Sequence, residues 1–125
     1  MTNRLTVARR ALVAAVAATG APTAEVLPVK VNSSTLISFA PASDYVDQAD
    51  TFGGDLKMRV YAYALVKPKN DRHDAETLDG LLVALHDGSR ASSPPWFIEA
   101  VDEPDVLKYG EWVMYGTRLT LTTTL

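Results

Sequence analysis

Few residues in this 125-residue chain have types and spacings that could do chemistry. Its two histidines, His73 and His86, have no partner at metal-ligand spacing. His86 falls in the last turn of a leucine-rich helical pattern, where a cation complements the helix dipole. His73 lies in a polar stretch, and both read as solvent-exposed. Asp44, Asp47, Asp50 and Asp55 offer oxygen ligands of the kind a hard cation takes. They lack the alternate spacing and glycine placement of an EF-hand loop, and read as a solvated acidic loop or one facing a basic partner. Gly53-Gly54 precedes a strand pattern with neither the Walker nor the dinucleotide fingerprint. No serine sits in a nucleophile elbow. The absence of cysteine removes thiolate nucleophiles, thiolate metal sites and disulfides. Asp102 and Glu103 stand before Pro104, where acidic residues serve turn chemistry. These residues give no catalytic, cofactor-binding or metal-binding set, and the expectation is a protein that is not an enzyme.

One constellation remains. Lys57, Arg59, Tyr61 and Tyr63 alternate along a single stretch, interleaving basic and aromatic side chains. Such a strip suits a single-stranded nucleic-acid platform or a protein interface, where Tyr and Arg are enriched. The net charge of −3 favours the protein interface, because it gives no general affinity for nucleic acid or membrane. The flanking polar stretches add Asp44, Asp47, Asp50 and Arg90 as candidate interface residues.

The strip belongs to Leu56–Val66, the longest period-2 run in the chain. Leu56, Met58, Val60, Ala62, Ala64 and Val66 fall on one side; Lys57, Arg59, Tyr61, Tyr63 and Leu65 fall on the other. Strict alternation predicts a strand with one buried and one mostly exposed face. At about 3.3 Å per residue it spans roughly 35 Å. Arg4–Thr19 predicts an amphipathic helix with Leu5, Ala8, Leu12, Ala15 and Val16 as its stripe and Gly20 as its stop. Ala75–His86, with Leu78, Leu81, Leu82 and Leu85 in register, predicts a second helix, capped by Asp71 or Asp74 and ended by Gly88. Val26–Val31 reads as an edge strand because Pro28 cannot donate to a ladder, and Asn32-Ser33-Ser34 as a turn. Leu36–Phe39 reads as a short strand closed by Pro41. Ser43–Gly54 reads as an irregular loop with room for one helical turn at Tyr45–Asp50. Lys67–Asp74 and Ser89–Pro95 read as loops, and Trp96–Val101 and Trp112–Leu125 as strands. Val106–Glu111 is ambiguous.

Strands joined by short turns favour antiparallel pairing, and both helices carry one apolar stripe. The expected fold is α+β, a mostly antiparallel sheet with both helices packed on one face, in a single domain spanning residues 1–125. No apolar run approaches the roughly 20 residues that cross a bilayer. Met1–Ala24 has the arginines and small residues of a secretory signal, but its apolar run is short and mainly alanine, and a helix is the better reading.

Several strings resemble the tail terminator (tail completion) proteins of long, non-contractile-tailed bacteriophages (siphoviruses), particularly those of actinobacterial hosts. TNRLTVARRALVAAVAATG resembles the family's N-terminal helix ending at a glycine. TLISFAP and LKMRVYAYALVKPKNDRHDAETLDGLLVAL resemble its strand, loop, long strand and helix, with the LD pair at Leu78-Asp79. WFIEAVDEPDVLKYGEWVMYGTRLTLTTTL is similar to its closing hairpin, where an acidic-proline turn leads to a long terminal strand. The resemblance implies a virion structural protein without catalytic residues. Such a protein forms a ring, usually hexameric, on the last ring of the tail tube. It ends tube polymerisation and presents a surface to the head-side connector. Implied partners are further copies of the chain, the major tail tube protein and the head-side stopper. Genomic DNA would pass through the lumen without sequence-specific binding, with no membrane involved. The implied location is the virion neck, reached from the host cytoplasm during assembly. The implied contact loops are Ala42–Gly54, Ser89–Pro95 and Lys67–Asp74. The alternatives are another neck or head-completion protein (a stopper or adaptor), a small secreted domain, or a nucleic-acid binder. A stopper is expected to be a more β-rich barrel than a chain with two firm helices.

Overall fold

The computed structural model describes residues 4–20, 22–24, 34–48, 56–91, 96–109 and 112–124. In chain order the elements are α1 (Arg4–Ala17), β1 (Thr23–Ala24), β2 (Thr35–Gln48), β3 (Leu56–Val66), α2 (Asp71–Ala91), β4 (Trp96–Val101), β5 (Asp105–Tyr109) and β6 (Trp112–Thr124). The fold is α+β. Six strands form one sheet in the order β1-β2-β3-β6-β4, with β5 also paired to β6. Every pairing is antiparallel except β1 with β2. β4 takes residues 119–123 of β6 and β5 takes residues 112–116, so the two lie end to end along the same side of β6.

β3 is the predicted alternating strand, and it pairs along its length with β2 and β6. Met58, Val60, Ala62, Ala64 and Val66 are buried on one face with Ile37, Phe39, Trp96, Leu119 and Leu121. Leu12 and Val16 of α1 and Leu78, Leu81 and Leu85 of α2 complete that core. Both helices therefore cover the same face, as the two apolar stripes require. Alanines at positions 62 and 64 of β3 leave room for the helices to lie close.

The helix ends follow local chemistry. α1 closes at Ala17 through turns in which Thr19 and Gly20 donate to Val16 and Ala17 carbonyls at 3.1 Å, and Gly20 takes the left-handed conformation at φ 93°. α2 starts at Asp71, earlier than Ala75, because Asn70 is its cap: the Asn70 Oδ1 accepts from the His73 amide at 2.8 Å. Asp74 instead reaches back, its Oδ1 accepting from the Lys69 amide at 3.0 Å. At the other end α2 runs through Gly88 to Ala91, so Gly88 is not a stop and residues 89–91 are helical. A Cβ at Gly88 would collide with the Thr19 side chain, so this glycine serves helix packing.

Three strand expectations change. Residues 43–48 are not a loop, and Tyr45 does not begin a helical turn. β2 continues past Pro41 and through a register shift between Pro41 and Val46. Its outer side has no described partner there, which is where a proline is tolerated, and the shift lets the ladder resume. Of the ambiguous Val106–Glu111 stretch, residues 106–109 belong to β5, which begins at Asp105, and residues 110–111 lie outside the described residues. The expected Val26–Val31 strand, most of the Asn32–Ser34 turn, residues 49–54, and residues 92–95 of the expected Ser89–Pro95 loop lie outside the described residues.

Candidate protein interface

Opposite the helices, the second face of β3 carries Lys57, Arg59, Tyr61, Tyr63 and Leu65. It is less exposed than alternation alone predicts. Leu65 is fully buried in a small second core with Leu36 and Met114, against which Tyr63 and Leu107 pack. Lys57, Arg59, Tyr61 and Tyr63 are half-buried. The cause lies in the neighbours. β6 sets Thr122, Thr120, Arg118 and Gly116 opposite Arg59, Tyr61, Tyr63 and Leu65, and β2 sets Ala40, Ser38 and Leu36 opposite the last three. Gly116 is required at its position, since a Cβ there would strike the Ala64 carbonyl oxygen across the ladder.

The half-buried strip is held by paired charges. The Arg59 Nε donates to Glu99 Oε2 at 3.0 Å and Oε1 at 3.3 Å. Glu99 stands on this face by alternation in β4, where Trp96 and Ile98 pack on the helix side and Phe97 and Glu99 fall on the other; the register shift that follows sets Ala100 opposite Thr120. The guanidinium holds the Glu99 carboxyl below the usual carboxylate range. The Arg118 Cζ lies 4.2 Å from the Tyr61 ring centroid, a cation–π contact. The Arg118 Nε donates to Asp102 Oδ2 at 2.8 Å. Tyr61 and Tyr63 meet edge to face, with centroids 6.4 Å apart at 71°. Tyr61 also reaches the Ser43 hydroxyl at 3.5 Å.

Basic-aromatic character in sequence thus becomes a charge-compensated strip in space. Arg59 and Arg118 each have a carboxylate, and Arg118 already occupies one face of Tyr61, the ring on which a base would stack. The arrangement offers aromatic and hydrogen-bonding surface of the sort used between protein subunits.

The other candidate residues separate. Lys57 joins the strip, and Asp47 pairs with it in the β2–β3 ladder. Asp44 lies within the β2 register shift between Pro41 and Val46. Asp50 lies outside the described residues. Arg90 sits in the last turn of α2, on the helix side, and lines a cavity of about 440 Å³ with His86, Trp96 and Phe97. It is not part of the strip.

The sequence marks neither Glu99 nor Arg118 as a candidate, and it reads Asp102 only as turn chemistry. The signal for Arg118 was present, since it alternates with Thr120 and Thr122 on the polar side of β6. Its place beside Tyr61 follows only from the strand register. Asp102 opens not the expected turn but an extended link, residues 102–104, between β4 and β5, which run in the same direction along β6; the link is fastened to β6. The Asp102 amide donates to the Arg118 carbonyl at 2.9 Å, and the Thr117 hydroxyl donates to the Asp102 carbonyl. Beside it a shallow groove of about 350 Å³ is lined by Tyr63, Asp102, Leu107, Gly116 and Arg118, among others.

Among the described residues no three His, Asp or Glu side chains converge to hold a metal, and no helix is long and apolar enough to cross a membrane. No protein-family model matches the chain, and no curated protein matches it significantly.

Proposed function

We propose that this chain is a ring-forming tail terminator of a long, non-contractile-tailed bacteriophage. In this reading it is a structural subunit that caps the tail tube, ends tube polymerisation and joins the tail to the head-side connector. One observation carries the reading: the sheet has two unlike faces and two unlike sides. The helices bury one face, while the other carries the Arg59–Tyr61–Arg118 strip. β2 bounds one side, covered by β1 only at Ile37 and Ser38, and β4 with β5 bounds the other. Among the described residues neither side meets a further strand. Contacts between unlike surfaces of identical chains are heterologous, and such contacts close into rings when the rotation allows. The order of helix, strand, long strand, helix and closing hairpin also agrees with the order on which the resemblance rests. Other copies of the chain, the tube protein and the head-side stopper are then its partners, and DNA passes through the lumen without base-specific contact.

Electron microscopy of particles made without the gene tests this. The expected result is tails of uncontrolled length that do not join heads. Tails of normal length attached to heads would overturn the proposal. Normal-length tails left unattached would reassign the chain to another neck component.

A further inference from the structure

Residues 99–106 form eight successive positions that are all exposed, spanning the end of β4, the Asp102–Pro104 link and the start of β5. Chain segments without buried side chains are the ones that open locally. This one is pinned at its two ends by apolar residues of different cores. Ile98 packs on the helix side and Leu107 on the opposite side. Between those pins no side chain of the segment is buried. It is held by backbone pairing to β6, by the Thr117 hydroxyl donating to the Asp102 carbonyl, and by two charged clamps. One is Arg59 of β3 on Glu99, the other Arg118 of β6 on Asp102. The pairing itself is interrupted: the register shifts between Ile98 and Ala100, and residues 102–104 separate the two ladders.

We infer that residues 99–106 are a releasable strap: two arginine–carboxylate clamps hold it over the middle of the β6 edge, and losing them frees that edge while the rest of the sheet stays intact. What lies beneath is the backbone of residues 116–120. The Arg118 carbonyl accepts from the Asp102 amide. In an antiparallel ladder the amide and carbonyl of one residue point the same way, and alternate residues point oppositely. Gly116, Arg118 and Thr120 therefore face the strap, whereas Leu119 and Leu121 face β3. A freed stretch of this kind is a template for another strand. The clamps suit a reversible device, because both lie where salt and competing charges reach them: the side-chain exposures are 18% and 41% for Arg59 and Glu99, and 42% and 44% for Arg118 and Asp102. The other charged or titratable groups here are Glu103 and Asp105 of the strap itself, which line the groove with Arg118, and Lys57, Tyr61 and Tyr63 of β3.

Amide hydrogen exchange read residue by residue, on the intact chain carrying Glu99→Gln and Asp102→Asn, tests the strap. Each lost clamp is expected to speed exchange at the Arg118 and Thr120 amides roughly two- to fivefold, the factor for one exposed ion pair. Leu119 and Leu121 should keep their wild-type rates. Raising the salt to about 1 M, where the Debye length falls to about 3 Å, should reproduce the pattern in the wild-type chain and add little to the double variant. Equal acceleration at all four amides would mean that the clamps act on global stability alone and would overturn the inference. So would unchanged rates at Arg118 and Thr120 in both the variant and the salt series. If the variant does not fold, the wild-type salt series decides by the same criterion.

Discussion

At the residue scale, a glutamate takes its partner from strand order. Alternation in β4 puts Glu99 on the face away from Trp96 and Ile98, and the order β3-β6-β4 brings it within reach of Arg59. Its lowered carboxyl pKa, caused by Arg59, sets a pH signature. A carboxyl whose folded pKa lies below its unfolded value, near 4.3, contributes stability above that value. The contribution is lost as pH falls through the folded pKa. Glu99→Gln should therefore lower the urea midpoint at pH 6, and the gap should be narrower at pH 3. The gap will be small, since Glu99 is 41% exposed and solvent screens the pair. A gap of equal size at both pH values would show that the substitution acts by something other than charge.

At the element scale, α2 contains two glycines with different surroundings. Gly80 has nothing within 4 Å of where a Cβ would stand, so Gly80→Ala removes only the cost of glycine in a helix. It should stabilise by about 1 kcal/mol. Gly88 faces the Thr19 methyl, and Thr19 is fixed by its own hydroxyl donating to the Val16 carbonyl at 2.7 Å. Gly88→Ala must push α1 and α2 apart and should cost roughly 1–3 kcal/mol. Urea unfolding of the two variants separates them, and stabilisation by both would mean that the α1–α2 contact is looser than described. The sequence pattern located the leucine stripe of α2 well, because burial at 3.6-residue spacing is a local signal. It missed both helix ends. Asn70 outcompeted the aspartates as cap, and a glycine ends a helix only where the chain takes the left-handed turn, as at Gly20 and not at Gly88.

At the scale of the whole molecule, the proposed assembly makes the strip opposite the helices the surface that meets a partner. Replacing Arg59 and Tyr61 together with alanine removes the Glu99 ion pair and the Arg118 stacking contact and leaves the helix-side core untouched. The chain should still unfold cooperatively, with a stability loss of about 1–2 kcal/mol. It should fail to co-sediment with assembled tail tubes. Retained binding to tubes would remove the strip from the proposed contact surface. Loss of cooperative unfolding would place it in the core.

The α+β class, the two apolar helix stripes and the long two-sided strand were determined by the sequence itself. Each depends on periodic burial, which repeats along the chain and needs no knowledge of the neighbours. The resemblance to tail terminators came likewise from strings and their order, and the assembly role is its extension. Tertiary structure alone decided which carboxylates meet Arg59 and Arg118, that Leu65 is buried with Leu36 and Met114, that residues 43–48 continue β2, and that Arg90 stands apart from the strip. Those outcomes depend on register between strands distant in sequence and, for residues 43–48, on a register shift that alternation does not announce. A one-residue change of register moves a side chain to the other face. The chemistry-bearing residues of this chain acquired their partners at that step.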